Sequence, residues 1–126
     1  MWRSLVAMTL VSVGCRSYVE IRDVTAERGE GDQVVVRFRA DCDVTGSFDH
    51  VGADLRLRYR GPAIARSDKL VVVPGSPYLY KVVFPPSPEL KMPGRYELGF
   101  WAYGAMSGGR AGSFYTNEAT LEYVVP

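Results

Sequence analysis

From Tyr18 onward, apolar side chains recur at every second position, and nothing longer than a few residues shows the i, i+3, i+4 spacing of a helix. A chain patterned this way builds strands with one buried face, because successive side chains on a strand point to opposite sides of the sheet. The candidate strands are Tyr18–Val24, Gln33–Ala40, Ala53–Arg60, Lys69–Val73, Leu79–Phe84, Arg95–Tyr103 and Ala119–Val125. Between them stand turn-formers: Arg28-Gly29-Glu30-Gly31-Asp32, Gly61-Pro62, Pro74-Gly75-Ser76-Pro77, Pro85-Pro86-Ser87-Pro88 and Pro93-Gly94. The chain is therefore expected to be all-β and antiparallel.

Alternation also assigns faces. Val34, Val36, Phe38 and Ala40 oppose Val35, Arg37 and Arg39; Leu55, Leu57 and Tyr59 oppose Arg56, Arg58 and Arg60. Tyr80, Val82 and Phe84 oppose Lys81 and Val83, and Leu121, Tyr123 and Val125 oppose Thr120 and Glu122. The apolar set goes inward in each case and, with Val19, Ile21, Leu98 and Phe100, makes a core large enough for the domain to fold without a disulfide. A length of 126 residues leaves no room for a second core. Fifteen Lys and Arg against fourteen Asp and Glu give no clustered positive excess, so nucleic acid is excluded as a partner.

The start of the chain follows another pattern. Met1-Trp2-Arg3 is a short positive opening, and residues 4–13 form an apolar run without a charge. These are the proportions of a signal peptide, and the run is too short for a transmembrane helix, which needs about 20 apolar residues. It ends in Ser12-Val13-Gly14-Cys15, which resembles the lipobox of bacterial lipoproteins, although Ser12 stands where that family usually has leucine. The resemblance implies cleavage before Cys15 and a lipid anchor on it, with residues 1–14 as signal peptide, 15–17 as linker and 18–126 as the domain. The alternative is a general secretory signal, with Cys15 free to pair with Cys42 in an oxidising compartment.

Roughly seven short strands with turn signals between them form the pattern of an immunoglobulin-like β-sandwich. Pro93-Gly94-Arg95-Tyr96-Glu97-Leu98 resembles the approach to the sixth strand of immunoglobulin-like and fibronectin type III domains. The resemblance implies that Tyr96 acts as a tyrosine corner, pinning the preceding loop through its hydroxyl. The glycine-rich stretch through Arg110-Ala111-Gly112-Ser113 and Thr116-Asn117-Glu118 is similar to the last hairpin of bacterial immunoglobulin-like modules, and Arg39-Ala40-Asp41 followed by Val51–Tyr59 to their second-to-third strand passage. Such an architecture hosts many unrelated functions.

Few residues suggest chemistry. Asp41, Cys42, Asp43, Asp49, His50 and Asp54 crowd one stretch, yet they lack the spacing of an EF-hand or a paired Cys/His zinc site, and a solvated acidic loop accounts for them. His50 is the single histidine, no nucleophile elbow or zinc-protease motif is present, and Glu97 with Glu122 would form only an exposed carboxylate pair. No enzyme activity, metal or cofactor is expected.

The most informative set outside the core is the outward face of the third and sixth strands. Arg56, Arg58 and Arg60 alternate on one; Glu97, Trp101 and Tyr103 sit on the other. One reading is internal relief, through cross-strand Arg–Glu pairs and guanidinium stacking on indole. The functional reading makes Trp101 and Tyr103, ringed by Arg56, Arg58 and Arg60, a platform for a protein or carbohydrate partner, since Trp, Tyr and Arg are enriched at binding hot spots. The expectation is a monomeric, non-catalytic lipoprotein of the bacterial cell envelope, held to the membrane through Cys15. Its rival is a soluble secreted binding domain with a Cys15–Cys42 bridge.

Overall fold

The structure, a computed structural model, describes residues 18–44, 50–76, 78–105 and 113–126. The expected signal peptide, the linker and Cys15 lie outside the described residues. The chain forms β1 (Tyr18–Val19), β2 (Ile21–Arg28), β3 (Val34–Ala40), β4 (His50–Leu57), β5 (Ala63–Ser67), β6 (Leu70–Val72), β7 (Leu79–Phe84), β8 (Gly94–Ala105), β9 (Ser113–Thr116) and β10 (Ala119–Val125). Two short 3-10 turns, Glu30–Asp32 and Pro88–Leu90, are the only helical segments among the described residues.

The strands stack as an all-β sandwich of two sheets. One runs in the order β2-β3-β7-β6, and the other in the order β1-β9-β8-β4-β5, with β10 also paired to β8. Among the described residues all pairings are antiparallel except that of β1 with β9. The long β8 is the spine of the larger sheet. Along one edge it pairs with β4; along the other, β10 covers Gly94–Phe100 and β9 covers Tyr103–Ala105.

The expected inward sets line the space between the sheets. Val34, Val36, Phe38, Tyr80, Val82 and Phe84 from one sheet meet Leu55, Leu98, Phe100, Phe114 and Leu121 from the other, all buried. At the centre, Phe38 stacks on Tyr80 at 5.6 Å between ring centroids and meets Phe100 at 5.3 Å, while Phe84 meets Phe100 edge-on at 6.0 Å. Aromatic pairs in these geometries add to the gain from burial alone. The Tyr80 hydroxyl is not stranded there: it donates to Asp43 Oδ1 (3.1 Å) and accepts from the Val44 N–H (3.2 Å). A core tyrosine thus ties down the chain leaving β3. In the larger sheet the Tyr96 hydroxyl donates to the Met92 carbonyl at 2.7 Å, the backward-reaching bond expected of it.

The strand list departs from expectation in three ways. Tyr18–Val24 divides at Glu20, because Val19 pairs with Thr116 of β9 while Ile21 pairs with Ala40 of β3, so the chain crosses between sheets there. Two strands, β5 and β9, are additional. The third expected strand does not reach Arg60: β4 ends at Leu57, and Arg58 and Arg60 take positive φ values of 70° and 61° in a turn closed by the Gly61 N–H donating to the Arg58 carbonyl (3.0 Å). Tyr59, expected in the core, is 50% exposed in that turn.

Candidate functional site

The register of β4 against β8 determines what the outer face of the larger sheet presents. Gly52 lies opposite Tyr103, Asp54 opposite Trp101 and Arg56 opposite Gly99. Small and large side chains therefore face each other across the strands, and the large ones lie flat over the gaps. The Tyr103 ring covers Gly52 so closely that a Cβ there would meet Cε1 at 3.0 Å. The ring packs 4.9 Å from Trp101, with planes 49° apart, and the Arg56 guanidinium lies 5.7 Å from the Trp101 ring centre.

Polar partners hold this array from both sides. Asp54 is 4% exposed; its Oδ1 accepts a hydrogen bond from the Tyr103 hydroxyl (3.1 Å) and forms an ion pair with Arg66 Nε of β5 (3.2 Å). Burial, followed by the bond to Asp54, pushes the Tyr103 phenol above its ordinary pKa. On the other side Glu118, at the break between β9 and β10, reaches across Gly99, where a Cβ would collide with its carboxylate. Glu118 pairs with Arg56 at 3.6 Å and accepts the Arg60 backbone N–H at 2.6 Å. Two donors are left over: Trp101 Nε1 and Arg56 Nε are buried and have no hydrogen-bond partner among the described residues.

The structure therefore brings together three of the five residues expected on this face, Arg56, Trp101 and Tyr103. Arg58 and Arg60 stand apart from them. Their side chains belong to the exposed β4–β5 turn, where Arg60 lies over Tyr59 at 5.5 Å instead of over the tryptophan. Glu97 faces outward as expected, opposite Glu122 of β10, whose carboxylate is taken by Arg95 at 2.9 Å. Alternation did not reveal Asp54, Arg66 or Glu118 as members of the face, nor Tyr18 and Tyr115. The last two extend it sideways: Tyr115 lies opposite Tyr103 and Tyr18 opposite Tyr115, and the outer pair meets edge-on at 5.6 Å with both rings about half exposed.

At the His50 end, the same face opens into a groove of about 650 Å³ lined by His50, Val51, Gly52, Arg66, Ser67, Asp68, Tyr103, Gly104 and Ala105. The acidic stretch noted in the sequence does not converge there. Asp43 is tied to Tyr80, Asp54 is spent on Tyr103 and Arg66, and Asp49 lies outside the described residues. Among the described residues, no three or more His, Cys, Asp or Glu side chains gather as a metal site would require. Cys42 is buried and is not a free thiol. No family model, curated protein or solved structure matches the chain.

Proposed function

We propose that this chain is an exported, non-catalytic immunoglobulin-like domain of the bacterial envelope that recognises a partner through the outer face of β4 and β8. The immunoglobulin-like assignment is supported by the two strand orders. With β2, β3, β7 and β6 read as A, B, E and D, and β4 and β8 as C and F, they follow the sheet order of that architecture, and Tyr96 stands at its corner.

The recognition reading is carried by one observation: two N–H donors, Trp101 Nε1 and Arg56 Nε, are buried on an outward face without acceptors among the described residues. A buried donor without an acceptor costs about 1–3 kcal/mol, so a face built only for its own packing would pair them. Both atoms are closed off by the side chains around them, so a partner's oxygen atoms relieve that cost only where those side chains shift on binding. Binding in place of catalysis is supported by the neighbours of these groups, which are ion-pair and ring contacts instead of a nucleophile beside a base.

Capture from solubilised envelope and extracellular fractions tests the reading, comparing wild type with Tyr115→Ala and Arg56→Gln and using Val71→Ala, on an exposed position of the opposite sheet, as control. Loss of a captured component in the first two variants alone is expected. Equal capture by all four proteins would sink it.

Two modes of export fit. The lipid-anchored form, with Cys15 modified, is supported by the lipobox-like sequence. The soluble form with a Cys15–Cys42 bridge is favoured by the state of Cys42, which is not a free thiol. The intact mass of the purified protein distinguishes them: a diacylglyceryl mass on Cys15 admits only the first, and loss of two hydrogen atoms without lipid admits only the second.

A further inference from the structure

We infer that the groove beside Tyr103 is a binding site for a neutral saccharide, an assignment that rests on reading the outer face as a recognition surface. In the sheet order, β4 lies between β5 and β8, so His50–Gly52 form the floor, Arg66–Asp68 one wall and Tyr103–Ala105 the other. Both walls are held from below by the same buried atom. Asp54 Oδ1 takes the Tyr103 hydroxyl and Arg66 Nε together.

As a stabilising device this arrangement makes little sense. A carboxylate removed from water is costly, and its partner Arg66, at 73% side-chain exposure, returns little in a high-dielectric surround. As a positioning device it is economical. Fixing Nε leaves the terminal amino groups of Arg66 as donors at the groove wall, since no other partner of this side chain occurs among the described residues. Anchoring the hydroxyl while the ring rests over Gly52 holds an aromatic surface at fixed height and tilt on the Gly52 end of the floor.

The charge of the walls selects the ligand. Arg66 is already balanced by Asp54, and Asp68 adds an acceptor beside it. An anion entering the groove meets the Asp68 carboxylate, and a cation meets the guanidinium. A sugar suits both: its hydroxyls accept from Arg66 and donate to Asp68 or His50, while its C–H face lies against the Tyr103 ring. The volume, about 650 Å³, falls within the range of small-ligand sites, roughly 300–1,000 Å³.

The test is a backbone-amide NMR titration of the folded protein with glucose, galactose, mannose, N-acetylglucosamine, cellobiose and chitobiose, with glucuronate and glucosamine as charged counterparts. Expected are saturable shifts at 50–52, 66–68 and 103–105 with at least one neutral sugar. Arg66→Gln and Tyr103→Ala should each weaken that binding by about tenfold or more. Unchanged amide shifts of Arg66→Gln at the β3–β7 pairing, away from the groove, report that the variant is folded, so loss of binding there is told apart from loss of structure. Absence of saturable shifts with every neutral probe overturns the inference, as does tighter binding of a charged counterpart or indifference to both substitutions. If the sugars fail while capture still depends on Tyr115 and Arg56, the saccharide assignment falls and the recognition face stands.

Discussion

A tryptophan on the outward side of a strand escapes water either by packing on the sheet or by meeting a partner, and Trp101 takes the first course in part. Its ring is half-buried against Tyr103 and Arg56, while its N–H has no acceptor among the described residues. Removing a fully buried large aromatic costs about 3–5 kcal/mol, so truncating this half-buried one, Trp101→Ala, should lower stability by about 2 kcal/mol in a denaturant melt. Trp101→Ala is therefore a poor probe of binding, and exposed Arg66 and Tyr115 are the cleaner positions.

Tyr80 offers a second test at the same scale. Burial drives its phenol up to about 12 from an ordinary value of 10.0. Between those two values the unfolded chain has released the proton and the folded chain still holds it, so stability is intact below pH 10 and declines as pH rises toward 12. The decline is roughly 2 kcal/mol across the window. Tyr80→Phe should flatten that slope in urea melts at pH 9.5 and 11.5, while costing about 1 kcal/mol at pH 7 through the lost hydrogen bonds.

Among the elements, the break between β9 and β10 does the most with the fewest residues. Thr116 Oγ1 accepts the Ala102 N–H (2.9 Å) at the point where neither β9 nor β10 pairs with β8. The Asn117 amide then acts as a stand-in strand for β1 and β2, with Oδ1 accepting the Ile21 N–H (2.7 Å) and Nδ2 donating to the Ile21 carbonyl (3.3 Å). Glu118, next in the chain, turns outward over Gly99 to Arg56. Asn117→Ala should cost about 1–3 kcal/mol and sharply accelerate hydrogen exchange at Ile21, with the amides at the β3–β7 pairing left slow. Equal acceleration at both places would mean that the amide holds the whole domain and not the crossing.

This break was legible only as a turn signal. Ser113–Thr116 is four residues after a glycine-rich stretch, too short for a period to register, and β5 hides likewise between Pro62 and Asp68. Arg58 and Arg60 show the opposite failure. Their alternation continues that of β4, but a side-chain period carries no information about φ, and the chain turns at Arg58.

For the whole molecule, the two sides of the larger sheet should respond differently to substitution. Phe100, fully buried between Phe38 and Phe84, should cost about 3–5 kcal/mol on change to alanine, whereas Arg66→Gln, which withdraws a mostly exposed partner from Asp54, should cost about 1 kcal/mol or less. Thermal melts of the two variants measure this contrast, and a large loss in Arg66→Gln would mean that the Asp54 cluster holds the sandwich together and does not serve the groove.

The all-β class, the inward set of each long strand and the outward direction of Arg56, Trp101 and Tyr103 follow from the amino-acid order alone, because a period of two is a local property that any strand must obey. Asp54, Arg66 and Glu118 became neighbours of Trp101 and Tyr103 only through the register of β4 against β5 and β8 and the irregularity after Thr116. Register is a relation between distant segments, settled by which core side chains interlock across the sandwich, and no stretch of sequence contains it.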